Sequence, residues 1–116
     1  MSDKFKIYHN PRCRKSRETL EILKSNKIDP EIILYLKTPP NPQELKLLLA
    51  KLDMKPIDII RKEEREYKEK YKGMDFNEDE WLKVLHDNPK LIQRPIVVKG
   101  SKAVMGRPPE NVNDLL

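Results

Sequence analysis

Phe5-Lys6-Ile7-Tyr8-His9-Asn10-Pro11-Arg12-Cys13-Arg14-Lys15-Ser16-Arg17 passes from strand to loop to helix within a few residues. Residues 4–9 read as a short buried strand. Cys13 then opens a helix that runs to about Asn26, with Leu20 and Leu23 on one apolar face at i, i+3 spacing. Ile28-Asp29-Pro30 ends that helix, and Glu31 to Leu36, rich in β-branched and aromatic residues, reads as a second strand. A strand–helix–strand unit of this kind closes by a right-handed crossover, so the two strands are expected to be parallel.

Downstream the pattern changes. Lys37-Thr38-Pro39-Pro40 is turn chemistry, and Asn41, Pro42 and Glu44 form a capping-box start for a helix that buries Leu45, Leu48, Leu49 and Leu52. Pro56 to Tyr71 looks helical but densely charged, with six basic and four acidic residues between Arg61 and Lys72. Such a run suits a solvated surface helix or a mobile segment. Asn77 with Glu80 repeats the capping pattern ahead of Trp81, Leu82, Val84 and Leu85, which predicts a helix over 77–88 ended by Asn88-Pro89. Ile96-Val97-Val98 and Ala103-Val104-Met105 are short strands joined by Lys99-Gly100-Ser101-Lys102, a hairpin signal. A last helix begins near Pro108-Pro109-Glu110 and carries Val112, Leu115 and Leu116. The order βαβ, helices, ββα predicts an α/β, thioredoxin-like fold: a four-stranded mixed sheet flanked by helices, with a helical insertion between the βαβ and ββα parts. Ligands of such sheets sit at the carboxyl ends of the parallel strands, where the Cys13 loop lies.

The 116 residues suit a single domain spanning 1–116 with a modest core. Charged and hydrophobic residues each make up 37%, and no apolar run approaches the span of a bilayer. The N-terminus lacks the apolar stretch of a secretory signal, so no membrane partner and a cytoplasmic location are expected. Cys13 is the one cysteine, which rules out an internal disulfide and a thiolate-based metal site. His9 and His86 stand far apart in sequence, so no metal is expected, and His86 reads as a surface helix residue. The net charge of +5 and pI near 9.3 suit nucleic acid or small oxyanions. The one Trp, four Tyr and two Phe are not interleaved with basic residues as a stacking surface needs, so nucleic acid is not expected as a partner.

A lone cysteine is often just a small buried hydrophobe. Cys13 has a different setting. At a helix N-terminus it meets unsatisfied N–H groups and the positive end of the macrodipole. Arg14, Lys15 and Arg17 lie in the first turn, and from Met1 to Arg17 six Lys or Arg face one acidic residue, Asp3. Such surroundings lower a thiol pKa from about 8.5 to roughly 3.5–7.5. Cys13 is therefore read as a nucleophilic thiolate in a place that also welcomes an anion. His9 is either a hydrogen-bond partner or cation beside it, or a loop residue. Asn10 and Ser16 are either donors to sulfur or anion, or caps of the loop and helix. Arg17 helps depress the thiol pKa.

Three more arginines lie where the chain changes structure. Arg61 follows Ile59-Ile60, Arg94 precedes Pro95 and a buried strand, and Arg107 stands between Gly106 and Pro108. Arginine's planar fork matches tetrahedral oxyanions bidentately. Three of them converging on a thiolate would bind a phosphate-like anion and neutralise it during attack. Taken singly, each is more often a solvated surface arginine, but the proline and glycine neighbours of Arg94 and Arg107 fix their backbone and set those two apart.

His9, Cys13 and Arg17 in the pattern H-x3-C-x3-R resemble a known family, as do Tyr35-Leu36-Lys37-Thr38-Pro39-Pro40, Leu91-Ile92-Gln93-Arg94-Pro95-Ile96-Val97-Val98 and Gly106-Arg107-Pro108-Pro109-Glu110. Together, and in this order over essentially the whole chain, they are similar to the glutaredoxin-dependent arsenate reductases. The resemblance implies a thioredoxin-like fold, Cys13 as the nucleophile, and Arg61, Arg94 and Arg107 as the oxyanion cradle. It implies arsenate as substrate, no bound cofactor, glutathione as co-substrate and glutaredoxin as the protein partner. Arg94-Pro95 resembles the position where this fold holds a cis proline beside the active cysteine. Arg14 departs from the family pattern, which has a smaller residue there. The fold also resembles Spx-type regulators that bind RNA polymerase, but Ser16 stands where their second cysteine would be. A glutathione-linked thiol oxidoreductase with another substrate is the remaining alternative.

Overall fold

The structure, a computed structural model, describes residues 4–116, so Asp3 of the N-terminal charge pattern lies outside it. It divides into two compact units, one made of the residues up to Thr38 with Arg94–Leu116, the other of Pro39–Gln93.

Four short strands organise the first unit: β1 (Phe5–Tyr8), β2 (Glu31–Ile33), β3 (Ile96–Lys99) and β4 (Lys102–Met105), in the order β2-β1-β3-β4. β1 runs parallel to β2 and antiparallel to β3, and β3 pairs antiparallel with β4. The sheet is mixed, as the strand–helix–strand start and the hairpin require. Helix α1 (Arg14–Ser25) makes the crossover between the parallel strands. Ile7 and Val97, opposite one another in the register, form the core with Leu23 of α1 and with Val112 and Leu115 of the C-terminal helix. Each such buried side chain contributes about 1.5–3 kcal/mol. Together they hold α1 and the C-terminal helix on one face of the sheet. That expected C-terminal helix (Pro109–Leu115) is a 3-10 helix. The strand expected to reach Leu36 stops at Ile33 because its neighbour ends first. β1 stops at Tyr8, and the His9 N–H makes the last bond across, to Ile33 O at 2.9 Å. The Lys37 and Thr38 N–H groups then both turn back to Leu34 O.

The second unit is the expected helical insertion. Its α-helices are α2 (Pro42–Leu52) and α3 (Glu78–Asp87), packed on one another with Leu45, Leu48, Leu49, Leu82 and Leu85 buried. Asn41 Oδ1 accepts from the Glu44 N–H, and at α3 the Asn77 and Glu80 side chains cap each other's backbone at 2.8 and 2.9 Å. Trp81 is surrounded by Tyr67, Tyr71 and Phe76, the last with ring centroids 5.0 Å away. Pro56 to Tyr71 is not one helix. A 3-10 turn (Pro56–Ile59) gives way to extended backbone at Ile60, which bridges Ile92, and a π-helical turn follows at Tyr67–Tyr71. The Arg61 N–H bonds Leu91 O and the Gln93 N–H bonds Ile59 O, each at 2.7 Å, so tertiary pairing of two buried isoleucines overrides the local helical tendency. His86 is half-buried, its Nδ1 2.9 Å from Pro40 O, and is no free surface residue.

Candidate active site

Cys13 is the N-cap of α1, in extended backbone conformation, and its side chain is partly exposed. The loop that delivers it is tied down at each residue. The Cys13 N–H donates to Asn10 O at 2.9 Å and the Arg12 N–H to Asn10 Oδ1 at 3.0 Å, while Arg17 Nη1 donates to Pro11 O. Ser16 Oγ lies 2.6 Å from His9 Nδ1 and accepts from the Asn10 N–H at 3.0 Å. The Asn10 and Ser16 side chains thus shape the loop. Ser16 turns its backbone N–H, not its hydroxyl, to the sulfur.

Burial pushes the Cys13 thiol pKa up, but the Ser16 N–H, the Arg94 guanidinium and the Lys15 N–H outweigh it, and the thiol lies below its ordinary value. Sγ closes no capping hydrogen bond, so the N–H groups act on it as a field of donors facing the developing charge. The His9 pKa is lowered by burial, then by the charges of Arg17 and Lys24. The imidazole is therefore neutral at neutral pH. It serves as Ser16's hydrogen-bond partner and adds no positive charge to the thiolate.

Arg94 precedes Pro95 through a cis peptide bond, as the resemblance implied, and its Nε has no partner among the described residues. Arg107 is exposed and donates from Nη1 to Arg94 O at 3.3 Å. Its peptide bond to Pro108 is also cis. One unit therefore gathers Cys13, His9, Asn10, Ser16, Arg17, Arg94 and Arg107. Arg61 belongs to the other, where its guanidinium pairs with Glu63 and Glu64. Among the described residues no group of three or more His, Cys, Asp or Glu is placed to hold a metal ion, and no helix is long and apolar enough to cross a membrane. A thiolate at a helix N-terminus beside guanidinium donors can attack an electrophilic centre that carries anionic oxygens.

The ArsC family model matches residues 8–115 of the chain. The chain belongs to the ArsC family. It is 46% identical to the uncharacterized Escherichia coli protein YfgD, over all of this chain and 99% of that one. It is 43% identical to an arsenate reductase of Haemophilus influenzae, over 95% of this chain and 97% of the relative. Among solved structures, an arsenate reductase from Vibrio cholerae superposes over the full length of both chains with a TM-score of 0.94 at 42% identity.

Two further residues of this ArsC-family chain hold the site together. Thr19 is fully buried in α1, and its hydroxyl donates to Lys15 O at 2.8 Å, with Gly106 O at 3.4 Å. Gly106 lies so close that a Cβ there would meet both Pro95 Cγ and Thr19 Oγ1 at 2.8 Å. Its N–H also donates to Pro95 O at 2.8 Å. This contact joins the helix that carries Cys13 to the two segments that carry Arg94 and Arg107. Gly106 is visible in the sequence as part of the tail motif. Thr19 carries no sequence signal beyond a polar residue on the apolar side of a helix.

Proposed function

We propose that this ArsC-family protein reduces arsenate to arsenite, with Cys13 as the nucleophile, glutathione as co-substrate and a glutaredoxin as the regenerating partner. The observation that carries the reading is the Cys13 thiol, held below its ordinary value at the start of α1 beside the Arg94 guanidinium. Family relatives named arsenate reductase, 40–43% identical over 95% or more of this chain, support the substrate. Arg94 and Arg107 bind the arsenate oxygens. Arg61, which the family resemblance implies as a third anion ligand, lies in the other unit.

The Cys13 thiolate attacks arsenic and an S–As bond forms as hydroxide leaves, taking a proton to depart as water. Arsenic is still As(V) at this stage. Glutathione then attacks the Cys13 sulfur, a disulfide forms between them, and the S–As electron pair returns to arsenic, which departs as arsenite. Two sulfurs are oxidised and one arsenic is reduced by two electrons. A glutaredoxin thiol exchanges with the mixed disulfide and releases Cys13 as thiolate. Cys13 is the chain's one cysteine, so no internal thiol can resolve the adduct and an external one is required.

The test is to incubate the protein with arsenate and glutathione, omit glutaredoxin, quench with an alkylating agent and weigh the intact chain. The expected product is one glutathione on Cys13 with one arsenite released per chain, and neither in Cys13→Ser. Arsenite release from Cys13→Ser at the wild-type rate would refute the mechanism.

A further inference from the structure

The first turn of α1 departs from a rule that the other two α-helices keep. α2 opens with Glu44 and α3 with Glu78, Asp79 and Glu80, each favourable at the positive end of the helix dipole. α1 opens with Arg14, Lys15 and Arg17 and no acidic residue. Arg12 precedes Cys13 in the loop. All four cations are exposed, on the loop and first turn that hold a partly buried sulfur. Arg14 pairs with Glu18 and Arg17 holds Pro11 O, while the side chains of Arg12 and Lys15 meet no partner among the described residues. At 100° per residue Arg14 and Arg17 fall opposite the buried Ser16, Thr19 and Leu23, so their charge faces outward.

We infer that this cationic rim is the docking surface for an acidic protein, the dithiol reductant that removes glutathione from Cys13. The inference rests on the reading above and names the partner's surface chemistry. Arsenate and glutathione need donors beside the sulfur, a place Arg94 fills. The rim cations instead are exposed on the first turn of α1 and on the loop before it, where an approaching protein surface meets them. A partner thiol has to come within bonding distance of the glutathione sulfur at Cys13, so the surface around that thiol must lie over these residues. Acidic groups there would steer encounter and fix orientation. No aromatic residue occurs between Tyr8 and Tyr35, so the rim lacks the stacking platform of a single-stranded nucleic-acid site. In the docked complex the partner thiolate attacks the glutathione sulfur and the bond to Cys13 breaks. Its electron pair stays on Cys13 as thiolate. The partner's second thiol then displaces glutathione.

The experiment uses the full chain glutathionylated at Cys13 with oxidised glutathione, so its outcome does not depend on arsenate turnover. Reduction is timed with a dithiol glutaredoxin whose active-site face is acidic, and separately with dithiothreitol, whose small attacking thiolate carries one charge and no docking surface. Between roughly 20 and 300 mM ionic strength the glutaredoxin rate constant is expected to fall about tenfold or more and the dithiothreitol rate to change less than about twofold. Arg12→Glu is expected to lower the glutaredoxin rate about fivefold at low salt and weaken its salt dependence, with the dithiothreitol rate kept within about twofold. A parallel loss with both reductants would place the effect in the disulfide itself and overturn the inference. So would a glutaredoxin rate indifferent to salt, and if an oligonucleotide then bound the rim in physiological salt, the surface would belong to nucleic acid.

Discussion

At Cys13 one influence opposes three. Burial favours the neutral thiol, while the Ser16 N–H, Arg94 and the Lys15 N–H favour the thiolate and prevail. A lowered pKa means the thiolate persists as pH falls, so the rate of alkylation should reach its half-maximum below the ordinary thiol value of about 8.5. Arg94→Ala removes the one side-chain cation among those influences, and the half-maximum should move toward higher pH. An unchanged titration would show that the helix N-terminus acts alone. His9 works in the opposite sense. Its pKa is lowered on folding, so below the free-imidazole value of about 6.5 the unfolded chain binds the extra proton first. Stability is therefore complete above that pH, declines as pH falls beneath it, and the loss is full once pH has passed the lowered folded value. In His9→Asn the denaturation midpoint should fall less between pH 7 and pH 5 than in the wild type. An equal fall would remove His9 from the acid response. At this scale the sequence was legible for Cys13 and Arg94, whose neighbours announce them. It was not legible for the His9–Ser16 pair, because six residues of loop and helix separate two side chains that only the turn at Asn10–Cys13 brings to 2.6 Å.

Between elements, Gly106 forms a tight joint against Thr19 and Pro95. Neither neighbour can give way easily, since Thr19 is locked by its bond to Lys15 O and Pro95 is rigid and buried. Gly106→Ala should destabilise the protein by about 1–3 kcal/mol, the usual range for an overpacked core, and raise the KM for arsenate by displacing Arg107. A denaturant midpoint equal to that of the wild type would show that the joint yields. The elements themselves were largely written in local patterns: caps at Asn41 and Asn77, the hairpin at Gly100, the strand ahead of the Cys13 loop. The misreadings share a cause. β2 is short because β1 ends, and Ile60 is extended because Ile92 pairs with it. No residue-by-residue pattern in either segment carries that information.

For the whole molecule, the sheet order β2-β1-β3-β4 explains why distant motifs belong to one reading. It places β3, entered from Arg94-Pro95, directly beside the strand that leads to Cys13. The hairpin brings Gly106-Arg107 back alongside, where Arg107 bonds Arg94 O. Topology thus turns three separated stretches of sequence into one unit with the Cys13 thiol and two guanidinium groups. Arg61 lies in the insertion Pro39–Gln93, where its guanidinium pairs with Glu63 and Glu64. The central claim is that a single cysteine reduces arsenate with borrowed thiols. The measurement that tests it most directly is arsenate-dependent NADPH oxidation with glutathione, glutathione reductase and glutaredoxin, each omitted in turn. Sustained turnover is predicted with the full set and its loss is predicted on removing glutathione, glutaredoxin or the Cys13 sulfur. Sustained turnover without either external thiol, or none with the full set, would contradict it.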